Sequence, residues 1–209
     1  ILGYIYFTDQ YSQKDIKKAV YYLTLAAEQK EEKAYLYLAF IYIYNNEIKQ
    51  DVEKGLYYYN LAIKEKNPIA FYHLGILYYE GKYIQRDLTK SIEYWTQSAN
   101  LGNSDAQFVL GKTYYEGRYV QRNVKKSIYY LTLASNSYNS EALNYLGQIY
   151  YYGKYIQHDI NKSIYYLDLA AKQKNHEAEC LLGIIYFNDK YIKHDIDRSI
   201  YYLKKAANN

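Results

Sequence analysis

The chain has 209 residues, half of them hydrophobic, which is enough to bury a core in one large domain or two ordinary ones. Its 26 basic and 22 acidic residues are well mixed and give a net charge of +4, so the sequence lacks the basic block that nucleic-acid-binding proteins carry. Cys180 is the single cysteine and cannot form an internal disulfide, and the longest uncharged stretches are too short and too polar to span a bilayer.

The first predicted element is a helix whose sequence recurs every 36 residues. A Leu-Gly pair stands at residues 2–3, 74–75, 110–111, 146–147 and 182–183, and Leu38-Ala39 takes its place in the remaining copy. A Tyr follows four residues after each Leu, and an Ala precedes by four residues each Leu that has upstream sequence. In the third copy these are Ala70, Leu74 and Tyr78, which share one helix face. We therefore expect a first helix of roughly ten to twelve residues in every copy.

A loop of about six residues is expected to follow each first helix. Three residues after each Tyr stands a residue type that adopts the left-handed backbone conformation at low cost, and we expect it to end the helix. This column consists of Asp9, Asn45, Gly81, Gly117, Gly153 and Asp189. Six residues further on, a second column offers side-chain oxygens to free backbone amides and predicts the N-cap of a second helix. Its members are Asp15, Asp51, Asp87, Asn123, Asp159 and Asp195.

The second helix has apolar or small residues at a helical spacing, and small residues at 91, 98 and 99 predict a close approach of neighbouring helices. Most copies also carry a Tyr pair: Tyr21-Tyr22, Tyr57-Tyr58, Tyr129-Tyr130, Tyr165-Tyr166 and Tyr201-Tyr202, with Tyr94 at the second position of the third copy. We expect the second Tyr to be in the core, with its hydroxyl reaching solvent or a carbonyl. For the first Tyr, packing along the outside of the helix is the favoured interpretation. A contiguous exposed stripe would instead indicate a surface for a partner or for self-association.

One helix pair cannot bury both of its faces, so consecutive pairs must stack into a solenoid. We therefore treat residues 1–209 as a single array with repeat units of approximately 1–33, 34–69, 70–105, 106–141, 142–177 and 178–209. Because the chain has no Met and its ends lack polar caps, we interpret it as an excerpt of a longer chain with more repeats or a capping helix beyond it. The compartment, cytoplasm or ER lumen, stays open.

The motif A-x3-LG-x2-Y-x2-G, followed by D-x2-K-[SA]-I-x-Y and then A-A, resembles the Sel-1-like repeat family, a relative of the tetratricopeptide repeats. The resemblance covers nearly the whole chain and implies an all-α, right-handed superhelix of about six 36-residue helix–loop–helix repeats. It also implies a non-catalytic scaffold or adaptor, with roles such as ubiquitin-ligase assembly in ER-associated degradation, among which no residue selects. The second Gly of the family loop is replaced by Tyr83, Tyr119, Tyr155 and Tyr191, which leaves the loop conformation open.

Function is expected at exposed positions that change between copies. By the resemblance to tetratricopeptide arrays, the first-helix positions equivalent to 72, 76 and 79 line a concave groove in which a protein or peptide partner lies. Aromatic residues dominate interface hot spots, which favours this interpretation. The predicted partner-binding residues are Leu36, Phe40, Tyr72, Ile76, Tyr79, Phe108, Lys112, Tyr115, Asn144, Gln148 and Tyr151. The alternative is that these positions are unconstrained and rich in Tyr through compositional bias.

Other chemistry is not favoured by the sequence. A basic column running from Lys18 to Arg198 lies three residues after each N-cap, so local ion pairs explain it better than nucleic-acid binding. His158 and His194 belong to stacked repeats roughly 10 Å apart and cannot share a metal. No catalytic motif is present, and we predict no metal, cofactor or catalytic residue. Two alternatives stay open: a regulatory or targeting module for a catalytic domain such as a kinase elsewhere in the chain and, more weakly, carbohydrate binding through Tyr rings.

Overall fold

The structure is a computed structural model that describes residues 2–8, 14–188 and 190–208. In these ranges it contains helices and the turns between them, and no strand. The helices are α1 (Leu2–Thr8), α2 (Ile16–Glu28), α3 (Glu32–Tyr44), α4 (Val52–Lys64), α5 (Pro68–Glu80), α6 (Leu88–Asn100), α7 (Ser104–Glu116), α8 (Val124–Asn136), α9 (Ser140–Tyr152), α10 (Ile160–Lys172), α11 (His176–Asn188) and α12 (Ile196–Ala207). Odd-numbered helices are the predicted first helices and even-numbered ones the second helices. The prediction of an all-α fold built from helix–loop–helix repeats is confirmed.

The chain divides into two compact units, Ile1–Asn103 and Ser104–Asn209, each of which holds three helix pairs. In both units every first helix packs against the second helix of its own pair, and each second helix packs against the first helix of the next pair within the unit. This is the stacking that the repeat predicts, because each pair buries the face that its neighbour leaves open.

The predicted N-caps are confirmed in every repeat. Each Asp or Asn of the column accepts a hydrogen bond from the backbone amide three residues later, at 2.9 to 3.0 Å. The N-cap carboxylates also pair with the cation three residues later. The amino group of Lys162 lies 3.5 Å from the carboxylate of Asp159, and the guanidinium of Arg198 lies 3.2 Å from that of Asp195. Local pairing of the basic column is therefore confirmed where these contacts occur.

The predicted left-handed ends of the first helices are confirmed at three positions and wrong at one. Gly81, Gly117 and Gly153 have φ values of 67°, 67° and 60°. Asn45 instead has φ −79° and ψ 136°, which is extended backbone. The physical reason is that Asn45 uses its side-chain oxygen to accept from the amide of Glu47 at 2.8 Å, which makes a turn without the steric cost of a left-handed side chain. Asp9 and Asp189, the remaining members of this column, lie outside the described residues.

Five second helices, α2, α4, α6, α8 and α10, end in a left-handed residue that sequence analysis did not anticipate. Lys30, Lys66, Tyr138 and Lys174 have φ values between 56° and 62°, and Gly102 takes the equivalent position with φ 89°. The amide after each of these residues donates to a carbonyl five residues earlier, as from Asn175 to Ala170 at 3.2 Å. This hydrogen bond satisfies a free carbonyl at the helix end. Most repeats therefore place a side chain where Gly is favoured.

The recurring small residues bring the two helices of a pair into close contact. Ser91 and Ser98 are fully buried, and the hydroxyl of Ser91 donates to the carbonyl of Gly75 at 2.8 Å. A Cβ placed on Gly147 would lie 2.5 Å from Cγ of Leu167, well inside van der Waals contact. The Leu-Gly pair therefore recurs because the second helix occupies the space of the missing side chain.

A stack of two tyrosines and a cation also recurs in every repeat. The first-helix Tyr lies parallel to the second Tyr of the pair, with ring centroids 5.6 to 6.1 Å apart and interplanar angles of 5° to 9°. The Lys or Arg of the basic column lies over the first-helix ring, 4.4 to 5.4 Å from its centroid. The second Tyr of each pair is therefore held in place through the stacking of its ring. The prediction that this residue is in the core is confirmed for Tyr58, which is buried, whereas the second Tyr of the other pairs is only partly buried.

Candidate functional site

The predicted partner-binding residues lie on α3 and α5 in the first unit and on α7 and α9 in the second. We call the surface that they form, in each unit separately, the first-helix face. Most of its side chains are partly exposed, and Phe40 and Lys112 are exposed. Asn144 differs, since only 2% of it is accessible to solvent.

In the first unit, the face contains an apolar hollow of about 460 Å³. Its lining residues are Phe7, Lys33, Leu36, Tyr37, Phe40, Tyr59, Ile69 and His73. Three of the rings fix one another across α1 and α3, because Phe7 lies 5.8 Å from Tyr37 and 6.0 Å, edge-on, from Phe40. Two predicted residues, Leu36 and Phe40, are thereby brought together in one concave surface.

The predicted residues of α5 are arranged differently. Tyr79 packs against Trp95 of α6 at 5.5 Å, and the guanidinium of Arg86 lies 5.6 Å from its ring while donating to the Tyr79 carbonyl at 2.9 Å. Tyr72 lies next to His73, with ring centroids 5.6 Å apart. The ring of Tyr79 is therefore held by α6 and the loop that follows α5, whereas Tyr72 contacts a neighbour on its own helix. They do not line the hollow.

In the second unit, two of the predicted aromatic residues converge on Tyr145. Phe108 and Tyr115 both pack edge-on against its ring, at 6.1 and 5.8 Å. Burial, aided by the negative charge of Glu116, raises the pKa of Tyr145 to about 12. The hydroxyl is therefore neutral at physiological pH and can act as a hydrogen-bond donor.

Of the other predicted residues of the second unit, Lys112 lies 6.0 Å from the centroid of the Tyr145 ring, and Tyr151 packs edge-on against Tyr152 with ring centroids 5.1 Å apart. Asn144 and Gln148 form a polar cluster. The side-chain amide of Asn144 donates to the carboxylate of Glu177 at 2.8 Å, and Gln148 donates to both at 3.3 and 3.4 Å. Asn144 is buried because α11 covers it with this carboxylate. The first-helix face of the second unit is therefore partly acidic, whereas the hollow of the first unit is apolar with a lysine at its edge.

Several residues that shape this face were missed by sequence analysis. Asn67, Asn139 and Asn175 cap first helices and donate to an acidic side chain of the preceding first helix, at distances of 2.9 to 3.2 Å. Their spacing of 36 residues and their positions just before Pro68, Ser140 and His176 were the available signal. The loop tyrosines were also missed: Tyr83 packs edge-on against Tyr44 at 5.3 Å, and Tyr155 packs against Tyr115 at 5.3 Å.

The first tyrosines of the second-helix pairs lie on another surface of each unit, which we call, in each unit separately, the outer face. Tyr21, Tyr57, Tyr129, Tyr165 and Tyr201 are 57% to 60% exposed. Each touches the second Tyr of its pair edge-on at 5.0 to 5.3 Å, so packing accounts for one edge of the ring only. More than half of each of these tyrosines is therefore exposed, and the prediction that packing explains them is wrong for that exposed part.

Among residues 2–8, 14–188 and 190–208, no group of three His, Cys, Asp or Glu side chains is arranged to hold a metal ion. In the same ranges, none of the helices has the length and apolar character needed to cross a membrane.

Comparison with known proteins places the repeats in one family. The family model described as Sel1 repeat matches residues 1–31, 32–67, 68–103, 104–139, 140–175 and 176–209. A search of curated protein sequences found no match.

Solved structures with the same fold were also found. A Sel1 repeat protein from Oxalobacter formigenes is 26% identical with a TM-score of 0.86, and the match covers 99% of this chain and 84% of that one. Helicobacter pylori cysteine rich protein B is 28% identical with a TM-score of 0.52, over 66% of this chain and 98% of that one. The protective antigen c5321 of uropathogenic Escherichia coli is 23% identical with a TM-score of 0.62, over 99% of this chain and 52% of that one.

Proposed function

The chain belongs to the Sel1 repeat family, whose members are generally scaffolds for protein–protein interaction, and from that premise we propose that it is a non-catalytic scaffold or adaptor that binds a protein or peptide on its first-helix face. The observation that carries the proposal is the contrast between two sets of residues. The recurring Leu, Gly, Ser and Tyr residues are engaged in stacking, whereas most of the first-helix positions that vary between repeats, though not Asn144, remain partly exposed and rich in aromatic rings.

The proposed mechanism is burial of partner side chains against a rigid surface. Phe40, Tyr72 and Tyr115 offer exposed ring area, and each ring already has neighbours that restrict its rotamers. A surface that is ordered before binding loses less side-chain entropy on association. Rings of this kind typically supply a large share of the binding free energy of an interface.

The chemistry of the face also restricts the partner. In the first unit the hollow favours apolar side chains, with Lys33 at its edge. In the second unit Glu177 and Glu141 present carboxylates, each held by an Asn side chain. The first unit therefore suits apolar side chains and the second unit suits hydrogen-bond donors, and a polypeptide supplies groups of either kind.

The test uses peptides selected by display against the purified chain and measured by isothermal titration calorimetry. The combined replacement of Tyr72, Phe108 and Tyr115 with Ala is expected to weaken binding at least about 30-fold, since hot-spot truncations cost about 2 kcal/mol or more. The matched control replaces the outer-face residues Tyr57 and Tyr129 with Ala and should leave affinity unchanged. Circular dichroism establishes that both variants remain helical. Unchanged affinity in a folded triple variant would refute the proposal.

A specific observation favours carbohydrate binding as a second candidate function. On the outer face, Tyr165 and Tyr201 line a hollow of about 470 Å³ together with Asp168 and Arg198. Aromatic rings beside carboxylate and guanidinium groups can contact both the apolar faces and the hydroxyls of a sugar ring. A glycan array probed with the wild-type chain and with Tyr165→Ala tests this candidate, and an array without hits removes it.

A further inference from the structure

The net charge of the chain lies entirely in the second unit. Residues 1–103 contain 12 basic and 12 acidic side chains, whereas residues 104–209 contain 14 basic and 10 acidic ones. The difference in the second unit therefore equals the net charge of +4 of the whole chain. The two units share a fold but differ in electrostatics, and only the second unit has a net attraction for anions.

Within the second unit, the fold separates charges that are mixed along the sequence. The first helices α7, α9 and α11 contain one basic and five acidic side chains, and the second helices α8, α10 and α12 contain seven basic and two acidic ones. Because the two kinds of helix alternate along the chain, this separation does not produce a basic block in the sequence. The second helices therefore give the outer face of this unit a positive charge.

Each second helix of this unit also presents an exposed aromatic ring next to a cation. The rings of the outer face are 58% to 60% exposed. Residues three apart are neighbours on a helix surface. In each helix the cation lies three residues before the ring: Lys126 before Tyr129, Lys162 before Tyr165 and Arg198 before Tyr201. The outer face thus repeats one ring and one cation in every helix pair of the unit.

Part of this positive charge is not neutralised by neighbouring side chains. In α8 the N-cap is Asn123, which is neutral, so Lys126 lacks the carboxylate that its equivalents have. Lys125 and Lys204, one turn from Tyr129 and Tyr201, are exposed. No ion pair among the described residues involves these three lysines. The charge is therefore available to a ligand.

The outer face of the first unit has the same rings without the charge. Tyr21 and Tyr57 are 60% and 57% exposed, but Glu53 lies beside Lys54 in α4. In α6, Glu93 takes the place of the ring. The first unit therefore provides a control surface within the same chain.

We propose that the outer face of the second unit binds single-stranded nucleic acid. Bases stack on Tyr129, Tyr165 and Tyr201, and phosphates lie near the cations of the same helices. Charge complementarity selects an anionic ligand, and the exposed rings select one with flat aromatic groups. Proteins that bind single strands without sequence preference combine these two features. The inference concerns a different surface from the first-helix face and does not rest on partner binding there.

The arrangement of ring and cation distinguishes a nucleotide from other anionic ligands. On each helix the two groups lie about one turn apart. In a nucleotide the base and the phosphate are joined through a ribose, which separates them in the same way. In a uronic acid the carboxylate is bonded directly to the sugar ring, and an acidic peptide does not supply a planar ring with each charge.

The experiment measures fluorescence anisotropy of a labelled oligothymidylate of about 12 nucleotides titrated with the full chain at low salt. We expect a dissociation constant between about 1 and 100 μM, the range for binding without sequence preference. An abasic strand with the same number of phosphates should bind at least about tenfold more weakly, because it cannot stack. Equal or tighter binding of the abasic strand, of oligoglutamate or of polygalacturonate would overturn the inference.

Replacing the three rings with Ala tests the stacking. The combined variant Tyr129→Ala, Tyr165→Ala and Tyr201→Ala should bind the oligothymidylate at least about tenfold more weakly than the wild type. The control variant Tyr21→Ala with Tyr57→Ala should bind as the wild type does. Circular dichroism establishes that both variants are helical, and the abasic strand tests stacking without any substitution. Unchanged affinity in the folded triple variant would overturn the inference.

Replacing two cations tests the charge. Lys125→Gln with Lys204→Gln should reduce the slope of log affinity against log salt by about 1.4, since each phosphate contact contributes about 0.7 for a single strand. Lys17→Gln with Lys64→Gln removes two exposed lysines from the second helices of the first unit and should leave the slope unchanged. Equal reductions in the two variants would show that the second unit is not the binding surface.

Discussion

Replacing Gly147 with Ala tests whether the recurring Leu-Gly pair is a steric requirement of the stack. In an exposed helix this change would stabilise the protein by about 1 kcal/mol, because Ala has the higher helix propensity. Here the new Cβ would lie 2.5 Å from Cγ and 2.7 Å from Cδ2 of Leu167, whose side chain is fully buried. Relieving such a clash in a packed core costs about 1–3 kcal/mol or more. After the gain of about 1 kcal/mol in helix propensity is subtracted, we expect a net loss of up to about 2 kcal/mol in unfolding free energy.

Gly183→Ala is the matched control for this prediction. Its Cβ would meet Leu203 at nearly the same distance, 2.6 Å, but Leu203 is 43% exposed and can move into solvent. The expected change is therefore within about 0.5 kcal/mol of zero, or stabilising. Denaturant unfolding followed by circular dichroism measures both variants. A stabilised Gly147→Ala variant, or equal losses in the two variants, would refute the argument that close helix approach fixes this glycine.

Further predictions concern caps and one buried ion pair. The backbone hydrogen bond from Lys162 lowers the pKa of Asp159 below its ordinary value of 3.8. The Asp159 carboxylate should therefore stabilise the fold above pH 3.8 and lose this contribution as pH falls through its lower pKa in the folded state. Asp159→Asn keeps the cap but does not titrate, so urea unfolding below about pH 4 should show no such loss in this variant. Lys174→Gly should raise unfolding free energy by about 0.5–1 kcal/mol, because Lys174 has φ 62°. Lys205→Leu should lower thermal and denaturant stability by about 3 kcal/mol, because it removes the cation that lies 3.0 Å from the buried carboxylate of Glu179.

Each of these predictions has an internal control. For the cap, Asn123→Ala should cost about 1 kcal/mol without any dependence on pH. For the left-handed residue, Gly102→Ala should be destabilising although no atom lies within 4 Å of the new Cβ, since only its φ of 89° opposes the change. For the ion pair, adding Glu179→Leu to Lys205→Leu should restore stability, as the equivalent repeat positions hold Leu143 and Leu169. A double variant as unstable as the single one would contradict this account.

Much of the fold was predictable because the 36-residue repeat restates the same physical requirements. The N-cap column and the buried small residues follow directly from residue type and spacing. The conformation of Asn45 was not predictable from its column. An Asn can end a helix in the left-handed conformation, or it can form a turn by accepting a backbone hydrogen bond with its side chain, whereas Gly has no side chain for the second. The left-handed conformation of Lys30 and its equivalents was not predictable because Lys does not favour this conformation, and only Gly102 is of a residue type that does.

The candidate site was less predictable because it depends on contacts between repeats. Column position alone suggested that Asn144 is exposed, but Glu177 of the next helix pair covers it. The hollow was not anticipated because Tyr59 belongs to a core column, and only its extra length carries it to the first-helix face. Sequence spacing located the face, whereas its division into an apolar hollow and a polar cluster required the positions of neighbouring side chains.

The central claim is that recurring residues hold the repeats together while the varied residues of the first helices contact the partner. Hydrogen exchange of the full chain with and without a bound display-selected peptide tests it directly. The account predicts added protection in first helices such as α3 and α9, and none in the second helices α4 and α10. Protection confined to the second helices would contradict it.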